Sequence, residues 1–286
     1  MNYLSAENIS KNYSDRWLFK DLNFGINRGQ RVGLVGVNGT GKTTLLRILA
    51  GEIQPDSGSV STRNGILVGY LPQNPVFTDE EATVQEALFS GTNETLDAIR
   101  AYEAAMEDPN VDPDLLHKVM DRMTDLNAWD YEQKVKQILG KLGIHDLNRQ
   151  IKVLSGGQRK RVAMARMLIT EPDLLILDEP TNHLDLDTIE WLENLLSTQQ
   201  QTLLMVTHDR YFLDKVATEI AELDGGQIYT YKGNYGYFLE KKAEREEMAG
   251  AEVDKARNLM RKELEWMRRQ PKARGTKSKS RIEAYY

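Results

Sequence analysis

Short apolar runs broken by Gly, Asn and Asp fill the chain from Tyr3 to about Tyr70. LFKDLNFGI, RVGLVG and GSVSTRNGILVGYL predict strands joined by tight turns. One helix is predicted within that stretch, opening inside GTGKTTLLRILAG, with Leu45, Leu46, Ile48 and Leu49 on its apolar face and Gly51 as its stop. Between about Val84 and Leu142 the period changes. Leu115, Leu116, Val119, Met120, Met123 and Leu126 fall at helical spacing, as do Val135, Ile138, Leu139 and Leu142, so the middle of the chain is predicted helical. DLLILDEP and TLLMVTHD are almost wholly apolar and end in charged residues, the pattern of parallel strands buried on both faces. The ends of such strands are where catalytic groups gather. From Leu239 a charged helix is predicted, carrying Val253, Ala256, Met260, Leu264 and Met267 at spacings of three and four until Pro271 interrupts it.

With 286 residues the chain can bury a large core without staples. Cysteine is absent, which excludes disulfides, thiolate metal sites and a cysteine nucleophile and is compatible with a reducing cytoplasm, the expected location. No basic, apolar leader and no run approaching the ~18–20 apolar residues of a membrane span is present, so a soluble protein is expected. The net charge of −6 conceals an asymmetry: residues 261–286 hold nine of the 37 Lys and Arg and three of the 43 Asp and Glu, leaving a tail of +6 on a body of −12. That distribution suggests a polyanionic partner for the tail rather than a nucleic-acid clamp over the whole domain.

The motif with the most specific chemistry is GVNGTGKT, residues 36–43, which fits G-x-x-x-x-G-K-[ST] and lies between a predicted strand and a predicted helix. Gly36, Gly39 and Gly41 let backbone N–H groups turn inward around phosphate, with Asn38, Thr40 and Thr44 in the same cradle. Lys42 is expected on the β and γ phosphates and the Thr43 hydroxyl on Mg²⁺. In LLILDEP, Asp178 is expected to hold the magnesium, and Glu179 to orient and deprotonate the attacking water. In LSGGQ, Ser155, Gly156, Gly157 and Gln158 form a small-residue turn at a predicted helix N-terminus, a second place where backbone groups can approach a phosphate.

That last motif, in LSGGQRKRVAMARML, resembles the signature of the ABC ATPase superfamily, and the resemblance covers the chain to about residue 240. It implies an α/β P-loop NTPase of ABC type: a RecA-like core, an antiparallel β-subdomain and a helical subdomain, followed by a linker helix. The corresponding division is residues 1–238 for the ATP-binding domain, with the helical subdomain at about 84–165, and 239–286 for the start of a basic interdomain linker. The resemblance further implies that Ser155 to Gln158 contact the γ-phosphate of ATP on an opposing domain. It places Gln73 in the loop that senses magnesium and the γ-phosphate, Asn182 to Asp185 in a dimer-facing loop, and His208 at the γ-phosphate switch. Adenine stacking falls to Tyr13, with Trp17 one short loop away as the alternative.

DRYFLDKV, YKGNYGYFLEKKAER and ELEWMRRQPKARGTKSKSRI resemble the soluble ABC-F group, the Uup-like branch nearest. Membership implies two ATPase domains on one chain and, for many members, work on the ribosome in translation regulation or antibiotic resistance. The chain is accordingly expected to be an N-terminal half with ATP and Mg²⁺ as ligands. Its partners would be a second ABC domain, from the missing half or a homodimer, and ribosomal RNA. The alternatives are the ATPase subunit of a membrane transporter and a DNA- or RNA-binding ATPase. The segment Glu94–Asp125 is too short for a large ribosome-contacting arm.

Overall fold

The computed structural model describes residues 1–13, 16–89, 94–108, 111–126, 128–198, 201–248 and 261. It divides into a unit of residues 1–235 and a second beginning at Gly236. The first opens with β1 (Asn2–Tyr13) and β2 (Arg16–Asn27), then β3 (Arg31–Val35), α1 (Lys42–Leu49), β4 (Ser57–Thr62) and β5 (Val68–Leu71). Four helices follow: α2 (Val84–Phe89), α3 (Glu94–Glu107), α4 (Pro113–Asp125) and α5 (Ala128–Lys141). The remainder alternates α6 (Gly156–Thr170), β6 (Leu174–Asp178), α7 (Leu186–Thr198), β7 (Thr202–Val206), α8 (Arg210–Val216), β8 (Glu219–Asp224) and β9 (Gln227–Lys232).

Two sheets result. β2-β1-β4 is antiparallel. The other runs β5-β6-β7-β3-β8-β9, parallel from β5 to β8 with β9 as an antiparallel edge. Every residue of β6 and β7 is buried, as expected for strands covered on both faces.

One core cluster joins Leu4, Ile9, Phe19, Leu22 and Ile26 of the first sheet to Leu174, Ile176, Leu204 and Val206 of the second. Leu45, Leu46, Ile48 and Leu49 of α1 lie within it. The helix that opens at Lys42 is therefore anchored from both sides. Its end is equally defined: Gly51, at φ 78°, donates to Ile48 O while Glu52 donates to Arg47 O, a left-handed glycine closure of the last turn.

The helical layer has its own small core of Ala98, Ile99, Met123 and Ala128, flanked by Tyr102, Leu126 and Tyr131. Here the sequence expectation is only half met. The predicted stripe on α4 forms a helix, capped by Asp112, yet Met123 is its one fully buried member, and Leu115 and Met120 are 50% and 40% exposed. Periodicity reports an amphipathic face; it does not report whether a neighbour covers all of it. Helix α6 runs unbroken to Thr170, so residue 165 falls inside a continuous helix.

In the second unit residues 236–248 are helical. Val253, Ala256, Met260, Leu264, Met267 and the basic residues that follow Pro271 lie outside the described residues. Among the described residues no helix is long and apolar enough to cross a membrane.

One contact in the antiparallel sheet fixes a glycine. Gly58 has φ 81°, and a Cβ there would lie 2.3 Å from the Asn8 carbonyl oxygen. Gly58→Ala is expected to cost about 1–3 kcal/mol, measured as a lowered denaturation midpoint; an unchanged midpoint would show that the two backbones can separate freely.

Candidate functional site

The turn after β3 departs from ordinary backbone at three glycines. Gly36, Gly39 and Gly41 have φ of 155°, 82° and 100°. A Cβ on Gly36 would sit 2.5 Å from Leu223 O, and one on Gly41 would sit 3.1 Å from the Leu18 side chain, so this path is closed to larger residues. The loop is tied internally: Thr40 Oγ1 donates to Val37 O at 2.9 Å. Lys42 Nζ donates to Gly36 O at 2.8 Å and to Val37 O at 3.2 Å, which holds the ammonium at the loop mouth. Burial lowers the Lys42 pKa, with the charges of Glu179 and Asp178 pulling the other way.

The loop forms one wall of a cavity of about 500 Å³ whose lining includes Tyr13, Leu18, Asn38, Gly39, Gly41 to Thr44, Gln73, Asp178, Glu179, Asn182 and His208. A larger groove of about 640 Å³ shares Thr43 and Gln73 with it but contains neither acid. Tyr13 thus lies on the loop cavity and Trp17, its sequence alternative, does not. Strand register explains the separation: Tyr13 pairs with Arg16 and Asn12 with Trp17, and neighbouring pairs face opposite sides of the hairpin.

Asp178 and Glu179 meet this cavity at the end of β6. Asp178 is 1% exposed, and no donor meets its carboxylate oxygens at full hydrogen-bond geometry, although the Thr43 hydroxyl stands close enough to favour the ionised form. Burial raises its pKa, offset by the Thr43 hydroxyl and the cations Lys160 and Lys42. A buried carboxylate short of donors is costly. Two buried carboxylate oxygens beside a threonine hydroxyl form a hard-donor set suited to a divalent cation such as Mg²⁺.

Glu179 is held through its backbone as well as its side chain. Its φ is 51°, the left-handed region that costs a non-glycine residue. Its N–H donates to Val206 O at 2.8 Å, and its carbonyl accepts from Asn182 N–H at 3.3 Å and from the Lys160 ammonium. The carboxylate accepts from His208 N–H at 3.2 Å, and its other oxygen lies 3.5 Å from His208 Nε2. Burial raises the Glu179 pKa against the pull of the His208 backbone bond.

The remaining candidates are placed elsewhere. Ser155 caps α6: its Oγ accepts from Gln158 N–H at 3.3 Å, and Gln158 Oε1 accepts from Ser155 N–H at 3.0 Å. This reciprocal pair fixes the Ser155–Gly157 turn, which does not line the loop cavity. Gly157 abuts His183, whose Cβ would stand 3.3 Å from a Cβ at that glycine. Asp185 accepts from Thr188 N–H at 2.9 Å and Thr188 Oγ1 at 2.8 Å, bonds that lower its pKa and start α7. The predicted residues accordingly fall into two groups, one around the 36–43 loop and one around the α6 N-terminus.

Sequence reading missed Lys160. It is 1% exposed and stands near both acids. The signal was present: Lys160, Met164 and Met167 share the buried face of α6, and a lysine on a core-facing stripe requires an internal acceptor.

Comparison with known proteins agrees with this geometry. A family model described as ABC transporter matches residues 19–182, and a second with the same description matches 221–286. An uncharacterized ABC transporter ATP-binding protein of Bacillus subtilis, YfmR, is 46% identical over 99% of this chain and 46% of its own. The energy-dependent translational throttle protein EttA of Mycobacterium tuberculosis is 37% identical over 98% of this chain and 51% of its own. EttA of Haemophilus influenzae is 38% identical over 93% and 49%. The chain therefore spans about half the length of these relatives. Among solved structures, an ATP-binding subunit of an ABC transporter aligns with TM-score 0.60 and 23% identity over 80% of this chain and 90% of its own. A nucleotide-free ATP-binding cassette aligns with TM-score 0.52 and 22% identity over 82% and 92%; at these identities the likeness is one of fold. With the family model covering more than half of its length, the chain belongs to the ABC transporter family as an ATP-binding domain of ABC ATPase fold.

Proposed function

We propose that this chain binds Mg-ATP at the 36–43 loop and hydrolyses it once a second ABC domain has closed over the site. The observation that carries the reading is the meeting, in one cavity, of a glycine-lined phosphate loop, a buried carboxylate at Asp178 beside the Thr43 hydroxyl and a backbone-restrained carboxylate at Glu179. Thr43, Asp178 and Gln73 would hold the metal, whose charge offsets that of the β and γ phosphates when bound. Lys42 and the loop N–H groups bind the phosphate oxygens, and Tyr13 stacks on the adenine. Glu179 orients a water at the γ-phosphorus and takes its proton as the new P–O bond forms and the bond to the ADP oxygen breaks. His208 positions that carboxylate and the γ-phosphate.

Ser155 to Gln158 lie outside this cavity and serve the nucleotide of the opposing domain, while Asp185 and the 182–185 segment face that domain. Support comes from Leu186, which directly follows Asp185 and leaves its apolar side chain 78% exposed, available to an opposing surface. The second domain comes from the same longer protein or from another copy of this chain.

The cellular setting proposed is translation, in the cytoplasm, as the N-terminal half of an ABC-F protein acting on the ribosome. Residues 1–238 form the ATPase domain and 239–286 begin a linker whose basic end meets ribosomal RNA. Relatives named translational throttle proteins support it; likeness to transporter subunits is of fold alone. Placement in the Uup-like branch rests on sequence resemblance. In the full-length protein, Glu179→Gln is expected to remain on ribosomes in ATP and slow translation, measured by sedimentation and by cell-free synthesis. Absence from ribosomes in ATP would contradict the ribosomal role while leaving the ATPase reading intact.

A further inference from the structure

Among the described residues Lys160 is one of the largest fully buried side chains, and its hydrogen bond is made to a backbone atom, not to a carboxylate. Its ammonium donates to the backbone carbonyl of Glu179. That carbonyl also accepts the Asn182 N–H at 3.3 Å, closing the turn that carries the chain away from β6. Glu179 itself is in the left-handed region, at φ 51°, a conformation that persists only where its surroundings hold it. Three bonds do so: Glu179 N–H to Val206 O, Asn182 N–H to Glu179 O, and Lys160 Nζ to Glu179 O. The first two are backbone bonds, whereas the third comes from a side chain on α6.

We propose that Lys160 is a positioning residue for the hydrolytic reaction: it clamps the Glu179 carbonyl, fixes the strained backbone there and so aims the Glu179 carboxylate at the attacking water. The inference rests on the reading of Glu179 as the base. Chemistry explains the choice of residue. A carbonyl already engaged by one N–H has a second lone pair, and a buried charged donor makes the stronger kind of hydrogen bond to it. The cost of burying the ammonium is met in part by the nearby charges of Asp178 and Glu179. Placement adds a second consequence. Lys160 lies one helical turn beyond Gly157, which abuts His183. The helix that bears the Ser155–Gly157 turn therefore meets the 179–183 segment at two points, a hydrogen bond at Glu179 and a close approach at His183, so a shift of α6 would be felt at the base.

The test compares wild type, Lys160→Met, Lys160→Gln and Glu179→Gln in the full chain, reading Mg-ATP hydrolysis, binding of a fluorescent ATP analogue and denaturation midpoint. Methionine fills the volume without a donor; glutamine restores a neutral donor to the carbonyl. Lys160→Met is expected to bind nucleotide within about 2-fold of wild type and to lose roughly 10- to 100-fold in kcat, the scale of a misplaced catalytic group. Lys160→Gln is expected to recover most of that loss although it lacks the charge. Wild-type turnover in Lys160→Met beside a dead Glu179→Gln overturns the positioning role alone. Equal loss in the methionine and glutamine variants at unchanged midpoints also overturns it, because the charge and not the carbonyl bond would then matter. Unimpaired turnover in Glu179→Gln overturns the reading of the base, and this inference with it.

Discussion

Glu179→Gln is expected to keep nucleotide binding and lose hydrolysis by roughly 10²-fold or more, the contribution of a positioned base. The amide preserves the acceptor for His208 N–H and leaves the backbone bonds untouched, so the loss reads proton transfer and not a collapsed turn. Retained turnover would remove Glu179 from the role of base. The same variant carries a second, opposite effect on stability. Burial raises the Glu179 pKa in the folded protein, so the folded state holds this proton more tightly than the unfolded chain does. The associated stability is present below the unfolded carboxylate pKa and is lost as pH rises through the folded one. At neutral pH the ionised carboxylate therefore weighs against the fold. Nucleotide-free Glu179→Gln should denature at higher denaturant concentration than wild type at pH 7, and the gap should close as pH falls into the carboxylate range. A gap that widens on acidification would contradict this sign.

Lys42→Ala is expected to weaken Mg-ATP binding by about 100-fold or more, since charge-assisted hydrogen bonds are each worth about 1.5–3 kcal/mol. Titration with a fluorescent nucleotide measures it directly. Little change in fold stability should accompany the loss, because the half-buried ammonium is already disfavoured by desolvation. Its partners within the loop, Gly36 O and Val37 O, keep access to water at the cavity mouth. Undiminished affinity in Lys42→Ala would show that the loop N–H groups bind the phosphates without it.

These two residues are legible in the sequence because their chemistry is bound to local sequence. A glycine-rich turn between a strand and a helix can be read within eight residues, and a run buried on both faces ending in two acids can be read within seven. What could not be read is what the fold assembles from distance. Tyr13 and Trp17 are equivalent in composition and nearly so in position, and only the hairpin register separates them. Lys160 sits in a segment whose glycines attract attention, yet its own acceptor lies 19 residues on and is a backbone atom. The α4 stripe predicted a buried face that Leu115 and Met120 do not have, because the small core of the helical layer gathers Met123 and Leu126 but neither of them. The separation of Ser155 from the loop cavity followed from resemblance, not from spacing; the capped Ser155–Gly157 turn is absent from the residues that line that cavity.

The order of strands in the large sheet has a consequence for how the protein comes to exist. β3, which delivers the phosphate loop, is hydrogen-bonded on one side to β7 and on the other to β8. Both partners are made more than 165 residues after it. A growing chain that has reached the end of β6 therefore carries the complete 36–43 motif on a strand without neighbours. Closing so long a loop is an entropic cost that non-local contacts repay only at the end. Nucleotide affinity should thus arise abruptly when residues 202–224 emerge during synthesis, and until then the apolar faces of β3 and α1 are the segments of the nascent protein most in need of protection from aggregation.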